Sequence, residues 1–176
     1  MITIIFESHG TTLDNEAQLS SGWFDVELSE LGQRQAAELG QRYRGEKFAA
    51  VFCSDLQRSY KTAEIAFNNR FPIIKDKRLR ECDYGELTRR PSFVVETKRG
   101  DYISIPFPGG QSYEQTATLM KIFLENLLKN YDGKKVMVIG HRATQYGLEH
   151  WLKGVPLKEA VTEPWAWQPG WTYYLK

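Results

Sequence analysis

The chain has 176 residues, a formal net charge of +1 and only two cysteines. That length suits one domain, residues 1–176, with a sizeable core; the balanced charge argues against a nucleic-acid partner, and Cys53 and Cys82 form neither a disulfide framework nor a metal-type spacing. No apolar run is long enough to span a membrane, and Met1 leads directly into an apolar stretch without a basic leader, so a cytoplasmic location is expected.

The first element is Ile2 to Phe6, an apolar, β-branched run short enough to be a buried strand. It ends in Glu7-Ser8-His9-Gly10, which puts a histidine just past a strand end. Gly10 to Trp23 is polar and too irregular for an element, and it carries Asn15. Ser29 is a good N-cap for a helix through Leu31, Ala36, Leu39 and Tyr43 that closes near Gly45. A second strand runs from Ala49 to Cys53. Ser54 or Asp55 then caps a helix with Leu56, Tyr60, Ala63 and Phe67 on one face and Arg58 in its first turn. Ile73-Ile74 is a weaker strand leading toward Glu81.

From Asp83 to Gly110 the chain is charged and rich in breakers, which predicts an excursion over the strand ends with a short helix around Ser92 to Lys98. Ser112 to Gln115 is a capping-box pattern opening a helix through Met120, Phe123, Leu124, Leu127 and Tyr131. Lys135 to Gly140 is a further strand, with His141 directly after it, then a helix through Trp151 to Gly154. Pro164 to Gly170 reads as loop and Trp171 to Leu175 as a last strand, antiparallel at the sheet edge. This alternation predicts an α/β fold: a three-layer α/β/α sandwich around a mostly parallel sheet.

In open α/β sheets ligands bind beyond the carboxyl ends of the strands, where this order of elements gathers His9, Arg58, Glu81 and His141. The set suits phosphoryl transfer. A neutral histidine can attack phosphorus and form a covalent intermediate. Charge on the equatorial oxygens then calls for fixed cationic and N–H donors. Arg58 suits that need through its planar fork and its place at a helix N-terminus. His141 and Asn15 can also donate. A carboxyl group beside the leaving oxygen would supply a proton; Glu81 is the candidate, in competition with Asp83 and Glu86.

Several motifs, in order along nearly the whole chain, resemble the histidine phosphatase family, also called phosphoglycerate mutase-like. They are Ser8-His9-Gly10 followed by Thr12 and Asn15; Gly22 to Asp25 with Leu28-Ser29 and Leu31-Gly32; Ser54-Asp55-Leu56 with Arg58 and Thr62-Ala63-Glu64; Leu79-Arg80-Glu81 with Gly85; Pro108 to Ser112; and Val138 to His141. The resemblance implies that His9 is the phosphorylated nucleophile, that Arg58, His141 and Asn15 bind the phosphoryl group, and that Glu81 is the general acid. The expected activity is hydrolysis of small phosphomonoesters, without cofactor or metal. The long insertions of the mutase branch are missing, which favours phosphatase over mutase. The alternative is a weak or silent relative that binds phosphorylated ligands or proteins.

Two positions depart from the family pattern. Ser8 stands where its motif has arginine, and Arg142 where a small residue usually follows the second histidine. One preorganised donor is worth roughly 2–4 kcal/mol, so Arg142 is a candidate replacement for the arginine missing at Ser8. The competing reading has Arg142 pointing to solvent or pairing with Glu7 or Glu149. His150 reads as packing or surface. Lys75, Lys77, Arg78 and Arg80 read as a solvated charged surface before a steering patch. The tryptophans near the C-terminus read more readily as packing than as a pocket wall.

Overall fold

The computed structural model describes residues 1–67 and 69–176. Five strands form one sheet: β1 (Ile2–Ser8), β2 (Val51–Cys53), β3 (Ile73–Lys75), β4 (Lys135–Gly140) and β5 (Trp171–Leu175), in the order β3-β2-β4-β1-β5. The pairs β3–β2, β2–β4 and β4–β1 are parallel. As expected, β5 runs antiparallel to β1 at the edge.

Alternation along the strands sends side chains into two cores. Ile2, Ile4 and Phe6 of β1, with Val136 and Val138 of β4, pack against Met120, Phe123, Leu124 and Leu127 of α5 (Tyr113–Asn130) and Leu148 of α6 (Arg142–Lys153). On the other face Ile5, Met137 and Ile139 meet Leu39 of α2 (Glu30–Arg42) and Ala63, Ala66 and Phe67 of α3 (Gln57–Phe67). Both faces of the sheet are therefore covered, which is why its central strands read as nearly continuous apolar runs.

Local signals fix most helix starts. The Ser29 hydroxyl accepts from the Gly32 N–H, and Ser112 with Gln115 forms a complete capping box. Each such cap is worth about 1 kcal/mol. At the start of α3, Ser54 Oγ accepts from the Leu56 N–H, while Asp55 instead holds Arg80.

The stretch from Gly10 to Trp23, expected to lack an element, contains α1 (Leu13–Glu16). A reciprocal cap between Thr12 and Asn15 forms it, and four residues are too few to show a periodicity. The excursion from Asp83 to Gly110 holds α4 (Ser92–Lys98), followed by a 3₁₀ turn at Arg99–Tyr102. It has a small core of its own. There Tyr84, Val95 and Phe107 pack with Tyr113, Tyr146 and Val161, the last on α7 (Leu157–Thr162), a helix the sequence pattern did not suggest. Among the described residues no helix is long and apolar enough to cross a membrane.

Candidate active site

The carboxyl ends of β1, β2 and β4 open into a cavity of about 600 Å³. Ser8, His9, Asn15, Arg58, Glu81, His141 and Arg142 all line it, so the structure brings these seven residues to one place.

His9 follows β1, and its backbone N–H extends the ladder to the Gly140 carbonyl. Gly10 makes the turn possible, because a Cβ there would come within 2.5 Å of the Gly32 carbonyl oxygen. His9 Nδ1 lies 2.7 Å from the Gly10 carbonyl oxygen. A carbonyl only accepts, so Nδ1 carries the ring proton and Nε2 keeps its lone pair. Burial, and then the Arg58 charge, push the His9 pKa down to about 3 against the pull of the Gly10 bond. The ring is neutral at neutral pH.

His141 is buried at the N-cap of α6, its ring centroid 5.0 Å from that of His9. Its Nε2 lies 2.7 Å from Ser54 Oγ. Ser54 Oγ also accepts from the Leu56 N–H; a hydroxyl has one hydrogen and two lone pairs, so it can meet Nε2 as donor or as acceptor. Among the described residues the buried Nδ1 has no partner. Burial, followed by Arg58 and His9, holds this imidazole well below its usual pKa. The sequence offered Ser54 as a helix cap and as part of the Ser54-Asp55-Leu56 motif; its contact with a histidine from another strand is a long-range fact that no local signal carries.

Arg58 is 2% exposed. Its terminal nitrogens donate to the Gly22 and Phe24 carbonyls at 2.6 and 3.0 Å, which fixes the guanidinium in the cavity wall. Asn15 is exposed, with Oδ1 accepting from the Thr12 N–H, so its amide NH₂ remains to donate. Glu81 is buried, and Oε1 accepts from the Cys82 and Ala143 N–H groups at 2.8 and 3.3 Å. Burial raises its pKa; those two bonds and the charges of Arg58 and Arg142 only partly oppose the rise. Asp83 and Glu86 do not line the cavity, and Asp83 accepts from the Gly85 N–H.

Arg142 does not pair with Glu7 or Glu149. Glu7 accepts from Arg42 and Tyr43, and Glu149 from Lys153 and Tyr173. The Arg142 guanidinium lies 4.9 Å from the Trp165 ring centre, with Nη1 3.7 Å from Glu96 on α4. Ser8 shares by alternation the sheet face of Phe6, the face covered by α6. The tryptophans divide. Trp151 donates to the Ala117 carbonyl and Trp171 packs on Phe6, whereas Trp165 and Trp167 line the cavity, the reading ranked second to packing. Arg78 and Arg80 of the basic run are held by Asp76 and Asp55, and His150 bonds the Val155 carbonyl beside Trp151. Among the described residues no cluster of His, Cys, Asp or Glu could hold a metal ion.

The family model of the histidine phosphatase superfamily (branch 1) matches residues 4–166. The chain belongs to that superfamily. Fructose-2,6-bisphosphatase TIGAR of Xenopus tropicalis is 39% identical over 131 residues, which are 69% of this chain and 48% of that protein. A 2,3-bisphosphoglycerate-dependent phosphoglycerate mutase of Allorhizobium ampelinum is 32% identical over 79% of this chain and 74% of its own length. Among solved structures, Bacillus stearothermophilus YhfR superposes with a TM-score of 0.82 at 24% identity, covering 96% of this chain and 88% of that one. The α/β sandwich and the family resemblance are both borne out. Membership in the histidine phosphatase superfamily supports a phosphoric monoester hydrolase acting through histidine.

Proposed function

We infer that this protein hydrolyses small phosphomonoesters through a phosphohistidine on His9, with Glu81 as general acid and then general base. His9 Nε2 attacks phosphorus and the P–O ester bond breaks. Glu81 gives its proton to the departing oxygen. A water then loses a proton to the Glu81 carboxylate and attacks the phosphohistidine, which releases phosphate and restores both residues. Arg58, the imidazole of His141 and the amide of Asn15 are the donors for the phosphoryl oxygens.

The observation that carries this reading is the His9 ring itself: Nδ1 is tied to Gly10, and Nε2 is neutral and turned to a cavity shared with Arg58 and His141. Glu81 fits its role because burial favours the protonated form a general acid needs. Arg142 is the proposed partner for the anion on the Ser8 side, since it reaches the same cavity from the helix that covers that face. The free, buried Cys53 and Cys82 suit a reducing, cytoplasmic setting. The binding-only alternative draws its support from Ser8 and has no use for a buried acid. Rapid quench with a labelled phosphomonoester separates the two: acid-labile phosphate on the wild-type chain and none on His9→Gln is expected, and equal labelling of both overturns the phosphohistidine.

A further inference from the structure

The Gly22 to Asp25 motif contributes no side chain to the reaction above, yet it touches both halves of the chemistry. The Gly22 and Phe24 carbonyls receive the terminal nitrogens of Arg58. Between them stands Trp23, whose indole N–H donates to the backbone carbonyl of Glu81 at 2.7 Å. Trp23 is 38% exposed, too open for core packing to explain so large a residue; its committed atom is Nε1.

That bond acts on a rigid unit. The Glu81–Cys82 peptide is planar: its carbonyl accepts from Trp23, and its N–H donates to Oε1 of the Glu81 carboxyl at 2.8 Å. Orienting the carbonyl therefore aims the N–H that holds the acid, and a hydrogen bond at one end of a peptide strengthens the one at the other. Trp23 is itself held. The Arg80 guanidinium lies 4.7 Å from its ring centre and makes a two-pronged bond to Asp55, each prong 2.7 Å long. At the end of the motif, Asp25 accepts from the backbone and side-chain amides of Gln57, the residue before Arg58. Gly22 has a φ of +52°, and a Cβ there would meet the ring and backbone nitrogen of Tyr84 at 3.1 and 3.2 Å, so the motif also seats against the chain just past the acid.

We propose that Trp23 is a positioning residue for the general acid: through the Glu81 carbonyl it sets the peptide plane that aims the Glu81 carboxyl, and the motif from Gly22 to Asp25 thereby holds the acid and Arg58 in one fixed relation. This rests on the phosphatase reading above and adds a residue to the same site. A misplacement of about 1 Å costs roughly 10²-fold in rate. Loss of the bond should cost about 10–100-fold where a proton must be delivered, and far less where it need not.

The test measures kcat/KM against pH for an alkyl phosphate and for nitrophenyl phosphate on wild type and Trp23→Phe, which keeps a ring for Arg80 and removes the donor. Should that variant fail to fold, replacing the Trp23 indole by benzothiophene keeps its shape and removes only the N–H. Alkyl kcat/KM is expected to fall about 10–100-fold and nitrophenyl kcat/KM far less. The alkyl decline with pH should move upward, because a weaker Cys82 bond favours the carboxylate less. The groups that otherwise act on this carboxyl are kept in both variants: Arg58 on α3, Arg142 and Tyr146 on α6, Tyr113 on α5, and Cys82 and Tyr84 beside it. Equal losses on the two substrates would place the effect in Arg58 or the fold, and no loss, or an unmoved pH profile, would leave the indole N–H idle; each overturns the proposal. The acid reading fails separately, if Glu81→Gln costs both substrates equally or wild type turns over neither. Carbon-13 titration of the Glu81 carboxyl, assigned through Glu81→Gln, then decides Trp23: a pKa higher in Trp23→Phe upholds its hold on the carboxyl, and an equal or lower one overturns it.

Discussion

The cavity has two walls built by different means. The inner wall is made of strand ends and helix starts, and backbone atoms fix its side chains: Gly10 for His9, Gly22 and Phe24 for Arg58, Cys82 and Ala143 for Glu81. The outer wall comprises α4, the turn at Arg99–Tyr102 and the loop carrying Trp165 and Trp167. Its contacts run between side chains: Arg142 with Glu96 and Trp165, Arg99 with Tyr146, and Trp165 with Gln145. Backbone partners cannot be exchanged one residue at a time, whereas side-chain partners can. The inner wall is thus suited to invariable chemistry, and the outer wall to a choice of substrate that can change without disturbing the sheet.

Substitutions on the inner wall are the sharpest way to break that contrast. His9→Gln should lower phosphatase turnover by about 10⁴-fold or more, as loss of a nucleophile does elsewhere, in a continuous phosphate-release assay. Retention of a tenth of wild-type turnover would move the chemistry off His9. In kcat/KM, which excludes the later hydrolysis of the phosphohistidine, Glu81→Gln should cost alkyl phosphates about 10²–10⁴-fold and nitrophenyl phosphate far less, because that leaving group needs no proton; equal losses in kcat/KM would remove Glu81 from the acid role.

The pH dependence follows from the same residue. The kcat/KM for alkyl phosphates should decline as pH rises through the elevated Glu81 pKa, with no matching decline for nitrophenyl phosphate. Stability has the opposite sign. His9 titrates near 3 when folded against 6.5 when free, so between those values the unfolded chain binds more protons and stability falls as pH falls. His9→Gln should flatten that part of a denaturant-midpoint profile; an unchanged slope would show that His9 is solvated.

Arg142 lies where the two walls meet. Arg142→Ala should lower turnover by about 10²-fold in the natural background and much less once Ser8→Arg is present, a double-mutant cycle with strong coupling. Equal losses in both backgrounds would exclude Arg142 as the replacement cation. The smallest effect belongs to the rim. Trp167 lies beneath the Arg42 guanidinium at 5.9 Å, so Trp167→Ala should raise KM about 2–5-fold, in line with an exposed cation–π contact, and leave kcat alone. A change in kcat instead would place Trp167 in the chemistry.

The same division governs how much the sequence discloses. β4 and α4 occupy the spans expected for them, Lys135–Gly140 and Ser92–Lys98, because an apolar run and a Pro91 boundary are local signals. His9, Arg58, Glu81 and His141 are legible because strand ends of a parallel sheet must share an edge. α1 and α7 are too short to show a period. The pairing of Arg142 with Glu96, the contact of Ser54 with His141 and the contact of Arg99 with Tyr146 each depend on how distant segments meet over the cavity. Arg99 falls within the charged excursion from Asp83 to Gly110, where no local signal singles it out.

One consequence follows from the register of β1 on β4, where Ser8 stands opposite Gly140. The histidine pair exists only when these two strands, about three quarters of the chain apart, have joined. Such a closure is among the slowest a domain can make. The helices on either face are local and form early. In refolding, far-ultraviolet ellipticity should therefore recover ahead of phosphatase activity, so that catalysis serves as a clock hand for the joining of β1 to β4.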